Sequence, residues 1–571
     1  MKFKDYLYER PDINSTRNVF KSFIKQFKTS DTCDNQKELI REINKLRNHI
    51  DSMFSLVEIR HTINTEDTFY RKEREYLDEF DPLYKEMVSD FYRALVESKF
   101  RESLEQEFGK QLFALAENQL KTISHLVIED LQRENKLNSD YIKLTASAKI
   151  NFEGRTKTLS QLYPLTMSPD RSLRKKSSEA RFGFFQENKN KLDLLFDELV
   201  KVRTTIAQKL GFENFVKLGY ARLGRTDYKK EDVAAFRKQI KEHVVPLVVR
   251  LKERQRKRIG VEELYYYDED FFFTQGNPTP KGNPDWVIEQ GERMYQELSN
   301  ETDEFFRFMV NHDLMDLLST EGKAPGGYCT YIPEYKSPFI YANFNGTAGD
   351  IDVLTHEAGH ALQVYSSRDL EIPEYYWPTY EASEIHSMSM EFFTWPWMEN
   401  FFGEDTDRYK FSHLSRGVIF LPYCAAVDEF QHYVYENPTA SSEERNQFWL
   451  TLEEEYLPHL NHEDNSYLKD GGYWQKQLHI FTDPFYYIDY GFAQMCAFQF
   501  WKRMRTYKDL AWKDYIYLCS LGGSRPFTEL VEEANLVSPF NEGCVLSVIK
   551  EIENWLDCVK ESELESSEFK A

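Results

Sequence analysis

The sequence is short of the features that would place it in a membrane, in an oxidising compartment or on a nucleic acid. Nowhere in its 571 residues is there a charge-free apolar run of about 18 residues, so no helix is expected to span a bilayer. The opening stretch MKFKDYLYERPDINSTRNVF carries charges every few residues and lacks an apolar run of about 7–15, which predicts that it is not a secretory signal. Cysteine is scarce. The seven (Cys33, Cys329, Cys424, Cys496, Cys519, Cys544, Cys558) are odd in number, far apart, and include no C-x-x-C pair. They support neither a disulfide framework nor a thiol-rich zinc site, and read as buried reduced thiols of a cytoplasmic protein. Positive charge is also in deficit: 72 Lys and Arg stand against 95 Asp and Glu, a net −23. A general nucleic-acid binder needs a basic footprint to displace counterions, so neither a nucleic-acid nor a membrane partner is expected. No repeat of fixed length is visible, which disfavours a solenoid.

Large apolar side chains are plentiful. Hydrophobic residues make up 41% and aromatics 15%, enough for an extensive core. The length allows three or four units, or one large interlocked fold. Leu39, Ile43, Leu46, Ile50, Met53 and Val57 recur at steps of four and three, and residues 101–137 repeat the pattern, predicting antiparallel helices rather than a long coiled coil. Residues 149–160, with Glu153-Gly154 between short β-prone runs, predict a small hairpin. Helix is expected again over 172–258, where KERQRKR (252–258) reads as a solvated basic face, and over 285–318. Gly and Pro crowd 274–284 and 324–338, excluding continuous helix there. PFIYANFN after Lys336-Ser337 predicts a strand leading into the next helix, a place where an extended peptide could add by main-chain hydrogen bonds.

That next helix, DVLTHEAGHALQVYSS, contains His356-Glu357-Ala358-Gly359-His360. Histidines four apart lie one above the other on a helix face and can reach one ion, while the adjacent glutamate can approach water on that ion without ligating it. Composition predicts about 0.3 accidental H-x-x-x-H pairs and about 0.05 with an acidic residue second. Gly359 suits a place where another backbone crowds the helix. Catalytic zinc takes three protein ligands and keeps a fourth position open. PTYEASEIHSMSMEFF (378–393) offers Glu381, Glu384, His386 and Glu391 for the third. Glu384 and Glu391 share a helix face; His386 projects some 200° away from Glu384, so the two cannot both face the ion. Two histidines and a carboxylate form the hydrolytic set.

HEAGH followed 24 residues later by the glutamate of EASEIHSMSMEFF resembles the thimet oligopeptidase and oligoendopeptidase F family of zinc metallopeptidases. LGFENFVKLGYARLGR (210–225), PFIYANFN, HIFTDPFYYIDYGFAQ (479–494) and GGSRPFTEL (522–530) extend the likeness over roughly residues 140–540. The resemblance implies one zinc ion per chain, ligands His356, His360 and Glu384, Glu357 as general base, and Glu391, with Glu381 as a further candidate, orienting the ligands. It implies a mainly α, zincin-type fold with a small β element beside the active-site helix and two helical halves enclosing a deep channel. Residues 1–200 would form one wall and 201–571 the catalytic region, the two interlocked.

Peptide hydrolysis builds negative charge on a carbonyl oxygen, which preset donors stabilise. His479, Tyr486, Tyr487 and Tyr490 supply an imidazole and three phenols within twelve positions. Taken alone, the segment reads as core aromatics; beside the upstream motif it reads as site, and the resemblance implies that a histidine and tyrosines here bind substrate. The reading favours Tyr490 and Tyr487 over Tyr486. Gly326, Gly327, Gly471 and Gly472 are candidates for mobile loops at the cleft or for plain turns. The expected activity is cleavage of internal bonds in short unstructured peptides. The alternatives are an inactive peptide-binding scaffold, carboxypeptidase-type cleavage, or a structural metal with Glu391 as fourth ligand. The net charge favours basic peptides through weak, salt-sensitive attraction.

Overall fold

Asp12, Thr32 and Asp67 each start a helix by accepting amide hydrogens of its first turn: α1 (Ile13–Thr29), α2 (Cys33–Ile63) and α3 (Thr68–Val96). The computed structural model describes residues 1–565, mostly helical with two small sheets. The apolar seam of α2 serves two cores. Ile40, Ile43 and Ile50 pack with Phe20 and Phe27 of α1, Phe80 and Phe91 of α3, and Leu112 of α4 (Lys110–Thr122), whereas Met53, Leu56 and Ile59 join the main core. At 31 residues, or about 46 Å, α2 is long enough to do both. The N-terminal core is closed by Ile372 and Tyr375, which come from far along the chain. Beside them the Arg47 guanidinium pairs with buried Glu374 at 2.7 Å, and Tyr92 OH donates to the same carboxylate.

The predicted hairpin is present: β1 (Ile150–Phe152) pairs antiparallel with β2 (Arg155–Lys157), turning on Glu153 and Gly154, both at positive φ. Helices follow, among them α5 (Lys189–Lys209), α6 (Phe215–Arg222) and α7 (Val245–Arg258). The KERQRKR segment at the end of α7 is solvated on one side only, at Glu253 and Lys257. Lys252, Gln255 and Arg258 are buried. Lys252 pairs with Glu269 at 2.6 Å, Gln255 donates to the carbonyls of Asp268 and Phe271, and Arg258 Nε donates to Phe272 O at 2.7 Å. The basic side chains there hold the irregular 261–273 segment by its backbone, which a charge pattern cannot reveal.

The helix predicted through 318 ends at Asn311. Asp313 adopts positive φ, and β3 (Met315–Leu318) follows. Four apolar-rich residues are too few for periodicity to tell strand from helix. β3 runs parallel to β5 (Ser337–Phe344), and β4 (Tyr328–Ile332) pairs antiparallel on the other side, with Tyr328 opposite Tyr341. β5 is therefore the central strand, and its nearly continuous burial fits that position. An added peptide strand cannot use it, because both its edges are taken. β4 lies at the edge of the sheet, and its first residues, Tyr328 and Cys329, line the cleft described below.

Two helices then cross at close range, α8 (Ala348–Ser367) and α9 (Tyr380–Phe393). A Cβ on Gly359 would lie 2.6 Å from His386 O and 2.7 Å from Ser387 Cα, so glycine is required where the α9 backbone passes. Two long helices, α10 (Thr406–Glu436) and α11 (Tyr487–Leu521), enclose this pair. No helix among the described residues is long and apolar enough to cross a membrane.

Candidate metal centre

α8 is seated by Asp350, whose carboxylate accepts from Asn345 N at 2.9 Å and Gly346 N at 2.7 Å and so fixes the loop that feeds it. One turn apart on α8, the His356 and His360 rings lie 5.0 Å between centroids. Their Nε2 atoms both face Glu384 Oε2 of α9, at 3.2 Å and 3.4 Å. One donor atom from each of the three residues falls within 4.8 Å of the others.

The far side of each imidazole is also engaged. Trp395 Nε1–H donates to His413 Nδ1 at 3.3 Å, which leaves His413 Nε2–H to donate to Glu391 Oε2 at 2.8 Å. The other Glu391 oxygen accepts from His356 Nδ1 at 2.7 Å. Ser383 Oγ lies 3.4 Å from His360 Nδ1. With Glu391 engaging Nδ1 of His356 and Ser383 beside Nδ1 of His360, both rings present Nε2 to the shared carboxylate, the nitrogen through which a metal would be held. Glu391 has both oxygens committed in this way and stands outside the three-atom cluster. His413 and Ser383 were not singled out in the sequence, where neither carries a spacing signal.

Electrostatics point the same way. Glu357, Glu384 and Glu391 are gathered around two histidines, and no Lys or Arg pairs with any of them among the described residues. Burial lowers the His356 pKa, but hydrogen bonds to Glu384 and Glu391 outweigh it and raise the pKa well above the ordinary value. Burial pushes Glu384 up, yet the His360 charge and the hydrogen bonds from both imidazoles hold it well below. The cluster demands positive charge, and a divalent cation accepting two imidazole lone pairs and a carboxylate meets that demand. The donor set fits zinc.

A cleft of about 380 Å³ opens in front of this cluster. Glu357, itself buried, lines it, and burial raises its pKa. Gly327, Tyr328 and Cys329 bring the start of β4 to the same cleft. Cys329 is thus a cleft residue, and Cys558 is exposed, so the expectation of uniformly buried thiols holds for Cys424, Cys496, Cys519 and Cys544 only; all seven are free. Gly471 and Gly472 are not loop tips. They pack against Asn446 O and the Tyr467 ring.

Tyr486 and Tyr490 line the cleft; Tyr487 and His479 do not. Tyr486 OH donates to Glu384 Oε1 at 3.2 Å, and its ring lies 5.1 Å from that of Tyr490. Tyr487 packs instead against Phe420 and Tyr423. Of the two favoured tyrosines the cleft is thus lined by Tyr490 alone, together with Tyr486, the cap of the helix that begins at Tyr487. Burial raises the pKa of both lining phenols, so they remain donors. His479 sits directly behind them, 5.6 Å and 5.8 Å from the Tyr486 and Tyr490 rings. Burial lowers its pKa. Tyr423 OH donates to Gln477 Oε1 at 3.0 Å and Gln477 Nε2 to His479 Nδ1 at 2.9 Å, which puts the remaining imidazole hydrogen on Nε2.

This aromatic segment is held by strain and charge. Phe485 has φ 70°. Its N–H donates to Gln431 Oε1 at 2.9 Å, and its carbonyl accepts from Arg225 Nη2 at 2.7 Å. Arg225 also pairs with Asp489 at 2.5 Å, deep in the core. Glu381 belongs to this group rather than to the ligands. It accepts from Tyr228 OH at 3.1 Å, and burial raises its pKa to about 7.

Comparison with known proteins bears on the whole chain. Residues 3–123 match the Peptidase M3 N-terminal domain, and residues 164–547 match Peptidase family M3. The chain is 23% identical over 435 residues to an oligoendopeptidase F homolog of Borreliella burgdorferi, spanning 71% of this chain and 70% of that protein. It is similar to the solved structure of PZ peptidase A with an inhibitor, with 60% identity, TM-score 0.94, and 98% and 100% of the two chains covered. A crystal structure described as a candidate oligoendopeptidase F of Bacillus anthracis strain Ames is 56% identical, with TM-score 0.90 and 99% of each chain covered.

Proposed function

This chain belongs to peptidase family M3 and is a metallopeptidase, and on that premise we propose that it is a zinc-dependent endopeptidase of short, unstructured peptides, held in the cytoplasm by the criterion of its free thiols. The observation that carries the reading is the convergence of His356 Nε2 and His360 Nε2 on Glu384, with Glu391 and Ser383 engaging the opposite ring nitrogens. A zinc ion held by these three residues would supply Lewis acidity toward a carbonyl oxygen and a water molecule.

The chain's own residues do the rest. Glu357 takes the proton of the attacking water on its carboxylate and returns it to the leaving nitrogen; its raised pKa suits a group that must do both. Tyr486 and Tyr490 donate to the carbonyl oxygen as it gains charge, with His479 Nε2–H behind them. The outer edge of β4 pairs with the extended peptide backbone, in place of β5. The N-terminal helices, interlocked with the rest through Glu374 and Tyr375, wall the approach and exclude folded proteins.

Incubation of purified protein with a quenched fluorescent peptide tests this. Cleavage lost on chelation and restored by zinc is expected, as is a Glu357→Gln variant that keeps its zinc and loses most turnover. Near-normal cleavage by that variant removes Glu357 as the base. Product masses decide the mode: internal fragments are expected, and release of single C-terminal residues would make it a carboxypeptidase.

A further inference from the structure

The segment LGFENFVKLGYARLGR (210–225) contributes none of the side chains that line the catalytic cleft. It touches the aromatic turn behind the cleft instead. The fully buried Phe485 ring lies on α6, where a Cβ on Gly219 would come within 2.6 Å of Phe485 Cδ2, so glycine leaves the room the ring occupies. Arg225, its side chain fully buried, holds the same turn by its backbone. Its Nη2 donates to Phe485 O at 2.7 Å and to the Asp489 carboxylate at 2.5 Å, and the guanidinium lies 4.3 Å over the Tyr220 ring. Phe485 and Asp489 flank Tyr486 in the chain, and Asp489 N–H donates to Tyr486 O at 2.9 Å. One guanidinium therefore fixes the chain on both sides of the phenol that reaches Glu384. Close by, Tyr228 has its ring 5.4 Å from the Arg225 guanidinium and donates its OH to Glu381 of α9 at 3.1 Å. This short stretch thus grips both the turn that carries Tyr486 and the helix that carries Glu384.

We propose that Arg225, seated with Gly219, is a positioning residue for the reaction: it sets the Tyr486 phenol at its distance from Glu384, and so places a donor for the carbonyl oxygen. The inference rests on the peptidase reading above and adds to it a residue remote from the cleft. A phenylalanine at positive φ keeps that conformation only where its surroundings impose it. Release of the Phe485 carbonyl lets the turn relax toward ordinary φ and carries Tyr486 with it. Displacing a positioned group by about 1 Å costs on the order of 100-fold in rate. The three metal-facing residues come from α8 and α9, which Arg225 does not touch, so the same displacement leaves the metal centre in place.

The test is a double-mutant cycle in the full-length protein, assayed on a quenched fluorescent peptide well below the unfolding temperature of every variant. Arg225→Lys keeps the charge beside Asp489 but loses the planar fork. It should lower kcat about 10-fold or more with a smaller change in KM. Zinc affinity, from chelator competition, should stay within about twofold of wild type, since outer groups that do orient ligands cost about 10–100-fold. In a Tyr486→Phe background the same substitution should lower kcat by no more than about twofold, because the group it places is already gone. Gly219→Ala leaves every charge where it was and should show the same dependence on Tyr486, which keeps the test open if the lysine variant does not fold. Effects that multiply in the double variants, or a loss of zinc in place of kcat, overturn the proposal. Should the wild-type protein cleave no peptide, the peptidase reading fails, and crystal structures of the two single variants still decide the placing. The Tyr486 OH is expected to leave Glu384 Oε1; a phenol that has not moved overturns it.

Discussion

Glu391 shows how much one side chain can decide. Its two oxygens join His413 to His356, so a relay that starts at the Trp395 indole fixes which nitrogen of His356 faces the cluster. Glu391→Gln can still accept but offers an amide where a second acceptor stood, so zinc affinity should fall about 10–100-fold, measured by chelator competition. Glu381→Gln, one helical turn before Glu384 but bonded to Tyr228, should leave zinc affinity unchanged. The tyrosines separate in the same way. Tyr486→Phe should lower kcat about 100-fold with a smaller change in KM, as removal of a charge-stabilising donor does. Tyr487→Phe, which removes a hydroxyl outside the cleft, should leave kcat close to wild type.

At the scale of elements, the crossing of α8 and α9 is the joint on which the cluster depends. Gly359→Ala places a methyl group against backbone that cannot turn aside, and should cost about 1–3 kcal/mol or more. Because the displaced residues follow Glu384 by two and three positions, bound zinc should fall with stability, read from metal content and thermal unfolding together. These two helices were legible in the sequence, since H-x-x-x-H spacing and a seven-residue acidic spacing are properties of one helix each. The small sheet was legible only in part. β5 stood out as an apolar run, but its central place could not be seen because β3 is four residues long and β4 lies in a Gly- and Pro-rich stretch. The turn at Phe485 was equally hidden: a left-handed phenylalanine held by Gln431 and Arg225 leaves no mark in local sequence. That turn moved Tyr486, not Tyr487, to the cleft.

Across the whole molecule, buried ion pairs tie helices to irregular segments in ways that composition alone cannot assign. The basic run at the end of α7 is the plainest case. Lys252 faces Glu269, whose pKa burial would raise but which the charges of Lys252 and His459 hold down at about 2, against an ordinary 4.5. A carboxylate depressed in the folded state stabilises it fully above its unfolded pKa and loses that contribution as pH falls through the folded value. The stability difference between the wild type and Glu269→Gln should therefore be largest above about pH 4.5 and shrink between there and pH 2, in urea unfolding at stepped pH. A pH-independent difference would mean that Glu269 acts by packing alone. The bipartite use of α2 and the closure of the N-terminal core by Ile372 and Tyr375 were likewise out of reach of periodicity, which reports a helix's apolar face but not what covers it.

The central claim is best tested by an anomalous difference map collected at the zinc edge from crystals of metal-replete protein. One strong peak per chain should lie between His356 Nε2, His360 Nε2 and the Glu384 carboxylate, on the wall of the cleft that holds Glu357, with no fourth protein atom in contact. An absence of signal there, or a peak closed off by Glu391 or another side chain, would contradict the account.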